Sequence, residues 1–328
     1  MSVTQAGSWP SVASDGGVSG SERAKTTRVP KPTRRRRSSR HADMRAGVLL
    51  VLPVALVVAT FQFYPIVTAV VQSVQSFNPF THAADGYAGL ANFSKVLADP
   101  GFRRAFGNTC LYMVLVLAIE IPLALLFAEL INRRLPGSTF ARSAVIGALA
   151  ASDTVAVLLW NQMLSPDHGL FNAILNSVGI GSQPFLTGSS QALGSIVAIS
   201  VWKDVGIPTL IFLVGMQAID RDVYEAAEID GATGSRAFFH VTLPLLTRSL
   251  LVATFITTIA SFRIFVPIIL MTQGGPAHAT INLNYYVYQQ AFQYSAYGVA
   301  YAAVVFMLLF LAALTLLQTV VLRRFGTR

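Results

Sequence analysis

Six long apolar segments constrain this sequence more than any other feature. They occupy about residues 47–71, 107–131, 139–163, 192–216, 247–271 and 296–322. A helix of about 20 apolar residues crosses the hydrocarbon of a bilayer. Backbone groups in lipid have to be hydrogen-bonded within the protein, and the strict alternation of barrel strands is not seen here. The sequence therefore predicts six transmembrane helices.

The composition supports this prediction. Charged residues make up 12% of the 328 residues, and hydrophobic residues make up 53%. A soluble domain has about 25% charged residues, so too few charges remain to cover a surface in water. We predict an all-α membrane protein. The single cysteine, Cys110, excludes an internal disulfide and is expected to pack as a small hydrophobic residue.

The N-terminal residues differ in character from the rest. Residues 1–45 are rich in Ser, Gly, Pro, Arg and Lys, which predicts a disordered basic tail before a permease domain at 46–328. The arginine run at 34–37 fits RNA or anionic lipid, and we favour a charge run at the membrane surface that sets the topology. We expect no cleaved signal peptide, because the first apolar run is longer than the usual stretch of about 7–15 residues.

The positions of Lys and Arg predict the orientation of the helices. With a cytoplasmic N-terminus, the outside segments hold only Lys95, Arg103 and Arg104, whereas the tail, the inside loops and the C-terminus hold nearly all the others. Cytoplasmic loops carry the excess of positive charge. Both termini and the loop at about 217–246 are therefore predicted to be cytoplasmic. Residues 89–106 are expected to form a short amphipathic element on the outer surface.

The cytoplasmic loop at 217–246 begins with an acidic helix. Asp222 is predicted to cap this helix with Glu225 three residues further on, and Gly231 is predicted to end it in a left-handed turn. Between Asp220 and Gly231 the sequence holds five acidic residues and one Arg. The small residues Ala226 and Ala227 would let another protein approach the backbone. The pattern fits a docking surface for a soluble partner, and also an ordinary solvated linker.

The second half of this loop is more apolar. Phe238, Phe239 and Val241 are expected to pack against the protein's own helices. Pro244 fits the first turn of the fifth membrane helix, where its missing N–H is harmless.

The loop resembles the EAA loop of ABC-importer permeases. The family pattern is E-A-A, three residues, G, nine residues and I/V-x-L-P, and it matches at Glu225-Ala226-Ala227, Gly231 and Val241-x-Leu243-Pro244. The resemblance covers roughly residues 45–325. Two departures are Asp220, where proline is usual, and Val266, where Asp often follows Phe-x-x-Phe. Further segments resemble the sugar-type branch of the family: Gly89-Leu90-Ala91-Asn92-Phe93, Asn108-Thr109, Trp160, Met163, Gly169, Asn172, Trp202-Lys203 and Thr272-Gln273-Gly274-Gly275-Pro276.

The resemblance implies one subunit of a larger importer with the type I ABC-importer permease fold, a multi-pass protein of the bacterial cell membrane. The implied partners are a second permease (a heterodimer), two cytoplasmic ABC ATPase subunits and an extracytoplasmic solute-binding protein. The implied solute is a sugar or a related polyol or glycerophosphodiester. The residues implied in ATPase coupling are Glu225, Ala226, Ala227, Asp230, Gly231, Leu243 and Pro244.

This chain is expected to be no enzyme and to bind no cofactor. It has no G-x-x-x-x-G-K-[ST] phosphate-binding loop, so ATP and Mg would bind to the partner ATPase. The five His residues show no metal-ligand spacing, and no metal site and no nucleic-acid partner are expected. The alternative function is a stand-alone secondary transporter or channel, but no convincing internal repeat is seen. A membrane enzyme is disfavoured because no catalytic set is visible.

Charged residues within the predicted helices are costly, by a few kcal/mol each, so each should face a partner or water. They line either a polar solute path or helix–helix contacts. Lys203 and Asp204 are adjacent and are expected to point apart, while Gly206 and Pro208 predict a kink. Trp202, Phe262 and Phe265 suit stacking on a sugar ring, or a position in the core or facing lipid. The candidates for the translocation path are Glu120, Asp153, Trp202, Lys203, Asp204, Phe262 and Arg263.

Overall fold

The computed structural model describes residues 40–78, 80–133 and 137–325, without the side chains of 40–46, 48 and 322–325. The chain divides into two units, Met1–Val57 and Val58–Arg328. The first helix begins at Arg40, within the predicted tail. The remainder of that tail, and Arg134 and Arg328 from the orientation argument, lie outside the described residues.

The described residues are mostly helical. The α-helices are α1 (Arg40–Val58), α2 (Tyr64–Ser73), α3 (Ala91–Ala98), α4 (Pro100–Asn132), α5 (Ser138–Ala150), α6 (Asp153–Met163), α7 (Leu170–Ser177), α8 (Ala192–Asp204), α9 (Gly206–Gln217), α10 (Arg221–Ile229), α11 (Ser235–Ala237), α12 (Leu243–Leu245), α13 (Thr247–Phe262), α14 (Leu283–Tyr288) and α15 (Tyr297–Phe325). π-helical turns occupy Ala59–Phe63, Phe238–Thr242, Ile268–Thr272 and Gln289–Gln293. Strands β1 (Gln75–Phe77) and β2 (Ala84–Tyr87) form an antiparallel hairpin.

Among the described residues, three helical segments are long and apolar enough to cross a membrane without a sharp bend: Leu49–Ser73, Pro100–Asn132 and Tyr297–Val321. Three more candidates are bent pairs: Ser138–Ala150 with Asp153–Met163, Ala192–Asp204 with Gly206–Gln217, and Ser235–Leu245 with Thr247–Phe262. Counted with each pair as one, they give the six predicted spans, called spans 1–6 in chain order.

Span 3 corrects one prediction, since residues 139–163 do not form one continuous helix. The chain bends by 105° between α5 and α6. The backbone is extended at Ala151 and Ser152. Ser152 and Asp153 are residue types that favour a helix start, which explains why a new helix begins there.

Span 5 corrects a boundary. The prediction of 247–271 is wrong at its end, because α13 stops at Phe262 and the chain continues into a loop and the turn Ile268–Thr272. The helical path instead extends upstream, through Ser235–Leu245, with a bend of 71°. Span 2 is also longer than predicted, because α4 begins at Pro100.

Span 4 is kinked as predicted. Helix α8 ends before Val205 and α9 begins after it, and the chain bends by 45° between the two helices. A Cβ on Gly206 would lie 2.5 Å from the Leu149 Cδ1 atom, so only glycine lets α5 approach the kink this closely.

Helix α4 is central to the second unit, where it packs against α8, α9 and α13. Its buried alanines, Ala105, Ala124 and Ala128, are fully covered and allow close helix approach. The predicted amphipathic element at 89–106 forms α3 and the start of α4, with Val96 fully buried. Asn92 holds this element by donating to the carbonyl oxygens of Ser73 and Gln75.

Candidate functional site

The acidic helix of the 217–246 loop is α10, which lies between spans 4 and 5. It begins at Arg221 with Asp220 in the cap position, and no side chain caps it. The prediction that Asp222 caps the helix with Glu225 is therefore wrong. Glu225 instead pairs with Arg221 one turn earlier, at 2.9 Å. Both side chains are largely exposed, so the pair contributes little stability.

The end of α10 is fixed as predicted. Gly231 adopts φ 78°, the left-handed region that favours glycine. The N–H of Gly231 donates to the Glu228 carbonyl, and the N–H of Ala232 donates to the Ala227 carbonyl. These two bonds form a Schellman motif, which stops the helix at Asp230 and sets the direction of the chain.

One side-chain hydrogen bond connects α10 to the start of span 5. The hydroxyl oxygens of Tyr224 and Thr242 are 3.1 Å apart. Thr242 is buried at the end of the π-helical turn Phe238–Thr242. Tyr224 directly precedes the E-A-A triplet, yet nothing in the sequence indicated its partner 18 residues away.

The surface that α10 presents is acidic. Glu225, Ala226, Glu228 and Asp230 are exposed. Ala227 is buried against the protein itself, so of the two small residues only Ala226 is open to another protein surface.

The second half of the loop differs from the predictions at two positions. Phe238 packs on the core as expected, whereas Phe239 is 61% exposed and does not. Pro244 lies not in the first turn of α13 but in the short α12, next to Leu243 and before the 71° bend. Proline has no backbone N–H to donate to the preceding turn, so it is suited to a position at a bend.

A polar cavity of about 360 Å³ lies among spans 2 to 5. It brings together Glu120, Asp153, Lys203, Asp204 and Arg263, five of the candidates for the translocation path. Tyr112, Ser200, Thr257, Phe265 and Val266 also line it. The two helix breaks of spans 3 and 4 border the cavity, because Asp153 begins α6 and Asp204 ends α8.

An ion pair joins the two breaks. The Lys203 Nζ atom lies 2.6 Å from the Asp153 Oδ1 atom. Lys203 also has a longer contact of 3.9 Å with Asp204, where the sequence predicted none. The Lys203 side chain is largely buried, at 14% exposure, so its charge is balanced by acids within the protein.

Glu120 and Arg263 differ in their surroundings. Glu120 is buried on α4 and accepts a hydrogen bond from the Thr257 hydroxyl of α13 at 3.3 Å. Arg263 is exposed at the end of α13, and its guanidinium has no ion pair or hydrogen bond with the described residues. Glu120 is therefore held by a contact between α4 and α13 at the cavity wall, whereas the Arg263 guanidinium is open to a molecule in the cavity.

Two candidates for the translocation path lie elsewhere. Phe262 is buried in the core, stacked on Phe310 at 5.7 Å. Trp202 is turned away from the cavity, where it meets Trp160 edge-on and lines a separate apolar groove. On a helix, neighbouring residues point in different directions, so Trp202 cannot accompany Lys203 into the cavity.

The residues of the W-x-x-M…G-x-x-N pattern shape a loop. Asn172 is buried, donates to the carbonyls of Ser165 and Gln183, and accepts from the Gln183 N–H. A Cβ on Gly169 would lie 2.3 Å from the Ser165 carbonyl oxygen. Glycine is required at position 169 because the loop backbone passes too closely for a side chain, whereas Asn172 is suited by its amide, which bonds the loop backbone.

Asp99 and Tyr286 form a second link that the sequence did not reveal. One Asp99 oxygen accepts from the Gly101 N–H at the start of α4, and the other accepts from the Tyr286 hydroxyl at 2.6 Å. Burial is the main cause that raises the pKa of Tyr286, and the adjacent carboxylate is the second, so the hydroxyl stays protonated as a donor.

Among the described residues no group of three or more His, Cys, Asp or Glu side chains is placed to hold a metal ion.

Comparison with known proteins decides the family. The sequence profile of the family described as binding-protein-dependent transport system inner membrane component matches residues 96–327. The chain belongs to this family. It is the permease subunit of an ABC importer and a multi-pass membrane protein, which confirms the predicted family, fold and location.

Relatives of this permease agree over most of its length. It is 36% identical over 271 residues to the sn-glycerol-3-phosphate transport system permease protein UgpA of Agrobacterium fabrum, covering 82% of this chain and 92% of the relative. It is 33% identical over 252 residues to the trehalose/maltose transport system permease protein MalF of Thermococcus litoralis, covering 75% and 85%.

Solved structures support the same fold. A chain in the crystal structure of a bacterial ABC transporter involved in the import of the acidic polysaccharide alginate superimposes with a TM-score of 0.75 at 24% identity. The match covers 87% of the permease and 98% of that chain. The same transporter in complex with an alginate pentasaccharide-bound periplasmic protein matches equally well.

Proposed function

We propose that this permease carries a sugar or a glycerol-phosphate-type solute, and that α10 couples it to a cytoplasmic ATPase. The solute class rests on relatives named for glycerol 3-phosphate and for trehalose and maltose. The coupling rests on one observation: an exposed helix bearing the E-A-A triplet lies between spans 4 and 5.

Three features of α10 suit a part that transmits force. Its end is fixed by Gly231, so the helix cannot lengthen into the following loop. Tyr224 ties its side to Thr242 at the start of span 5. Its exposed acids would meet a basic groove on the ATPase, and complementary charge favours correct docking.

The polar cavity is the proposed solute path through this subunit. Lys203 and Asp153 join the breaks of spans 3 and 4, so a shift of either helix is felt at the other. A second permease would complete the path, and ATP-driven closure of two ATPase subunits would move α10 and the bent spans as rigid bodies. An extracytoplasmic binding protein would deliver the solute. ATP and Mg would be held by the ATPase and not by this chain.

Exchange of charges on α10 tests the coupling role. In the double variant Arg221→Glu with Glu225→Arg, the pair one turn apart and the net charge are retained, and the order of charges suits the helix dipole. We expect α10 to stay folded while co-purification of the ATPase and solute-stimulated ATP hydrolysis are lost. Full retention of co-purification and of ATP hydrolysis would contradict the proposal that the ATPase binds Glu225.

Removal of the charges of a distant pair is the control. Glu129 and Arg133 form another pair one turn apart, at 2.7 Å near the end of α4. The double variant Glu129→Gln with Arg133→Gln places no charge against the helix dipole and should leave the ATPase bound and active. A purified chain that moved solute down an ion gradient without ATP would favour the alternative, a secondary transporter.

A further inference from the structure

An apolar groove lies between the start of α4 and the first half of α15. Its volume is about 490 Å³. Phe106, Phe306, Leu309 and Phe310 line it. The walls are held together by rings, since Phe106 meets Phe310 edge-on at 4.9 Å between centroids. This contact between α4 and α15 keeps the two walls of the groove in place.

Arg103 is the charged side chain that lines this groove. It is exposed, and its guanidinium has no ion pair or hydrogen bond with the described residues. Asp99, one turn earlier, is not its partner, because the Asp99 oxygens accept from Gly101 and Tyr286. A cation with open donors thus lines an otherwise apolar groove.

The position of the groove along span 2 matters for what fills it. Helix α4 has 33 residues. It is therefore about 50 Å long, against about 30 Å of hydrocarbon. Residues 111–128 of this helix carry only Glu120 as a charged residue, so we assign the hydrocarbon to that stretch. Arg103, the fourth residue of the helix, is then expected near the lipid head groups, and Phe106 nearer the hydrocarbon.

We propose that the groove binds a phospholipid, with one acyl chain between α4 and α15 and its phosphate held by Arg103. The guanidinium fork matches phosphate geometry, and its negative charge complements the open cation. The apolar wall complements the acyl chain. The inference depends on the membrane location and not on the proposed solute or coupling role.

Photo-crosslinking tests the proposal on the full permease complex. The probe is phosphatidylglycerol with a diazirine on one acyl chain, and labelled peptides are mapped by mass spectrometry. We expect labelling on α4 and α15 around Phe106 and Phe310. Arg103→Gln should lower the labelling about fivefold, the factor expected for one cation at a lipid surface. Leu309→Trp, at a position 61% exposed, should block the groove and abolish labelling.

Arg104→Gln is the matched control, because Arg104 is exposed but does not line the groove. Its labelling should equal that of the unchanged protein. Equal labelling of the Arg103→Gln and Arg104→Gln variants would overturn the role of Arg103. Absence of labelling in the groove would mean that another subunit fills it, and would overturn the proposed lipid site. Displacement by free glycerol 3-phosphate as effective as by unlabelled phosphatidylglycerol would assign the site to a soluble anion instead.

Discussion

The phenolic oxygen of Tyr224 lies 3.1 Å from the hydroxyl oxygen of Thr242, and this contact ties the acidic helix α10 to the start of span 5. Tyr224 is half-buried and Thr242 is fully buried. A hydrogen bond shielded from water holds its geometry better than an exposed one. We therefore expect a displacement of α10 to be passed through this contact to the bent span.

Tyr224→Phe should weaken the coupling of ATP hydrolysis to transport. The ring stays and only the hydroxyl is lost, which removes about 1 kcal/mol of interaction. We expect the solute moved per ATP hydrolysed to fall about fivefold in proteoliposomes, with the complex still assembled.

Thr242→Val and the double variant complete the test of this contact. If the two hydroxyls act through each other, the double variant should lose no more than either single variant. Tyr294→Phe is the control, because Tyr294 is 63% exposed and its hydroxyl has no hydrogen bond with the described residues. Additive losses would mean that the two residues act separately.

The ion pair between Lys203 and Asp153 should hold the breaks of spans 3 and 4 together. Asp153→Asn leaves a largely buried ammonium with only the long contact to Asp204, and we expect a loss of about 1–2 kcal/mol in unfolding free energy. Thermal unfolding in detergent measures it. The double variant Asp153→Asn with Lys203→Met leaves no buried ammonium without its partner, so it should recover most of the loss. No recovery would mean that packing rather than charge decides the contact.

Gly169→Ala should disrupt the loop between α6 and α7. The added carbon would meet two backbone oxygens, those of Ser165 and Met163, at 2.3 and 2.5 Å. Because backbone atoms cannot turn aside as a side chain can, we expect a loss of about 2 kcal/mol. Gly181→Ala, with nothing within 4 Å of the new carbon, is the control and should be neutral. Equal melting temperatures for both variants would contradict this account.

Arg263→Ala should affect transport and not stability. The exposed guanidinium has no partner among the described residues, so its removal should change the unfolding free energy by less than about 0.5 kcal/mol. Because Arg263 lines the proposed solute path, Arg263→Ala should change the rate of uptake at saturating binding protein. Arg104→Ala serves as the control outside the cavity. Unchanged uptake in the Arg263 variant would remove Arg263 from the path.

The spans and the loop helix followed well from the sequence, for physical reasons. Apolar length marks a span wherever the chain lies in lipid, and Gly231 marks the end of α10 because few other residues adopt its backbone angles. The kink at Gly206 was likewise indicated by residue type. These features depend on neighbours along the chain, which a sequence displays directly.

Features that depend on distant neighbours could not be predicted. The break at Ser152 interrupts an apolar run of ordinary composition, and the partner of Lys203 proved to be Asp153 rather than any residue nearby. The placement of Trp202 outside the cavity depends on how α8 is rotated against α6. The start of α10 at Arg221 was missed because Asp220 and Asp222 are the same residue type and both favour a cap position.

Crosslinking at α10 tests the central claim most directly. In a Cys110→Ala background, Glu228→Cys places a thiol on the exposed face of α10, and Asp167→Cys places one on an exposed loop between α6 and α7. With a short thiol-to-amine crosslinker, we predict that Glu228→Cys joins the ATPase subunit with a yield that changes on adding ATP, and that Asp167→Cys does not join it. Equal yields at the two sites, or no ATPase product at Glu228→Cys, would contradict the coupling role of α10.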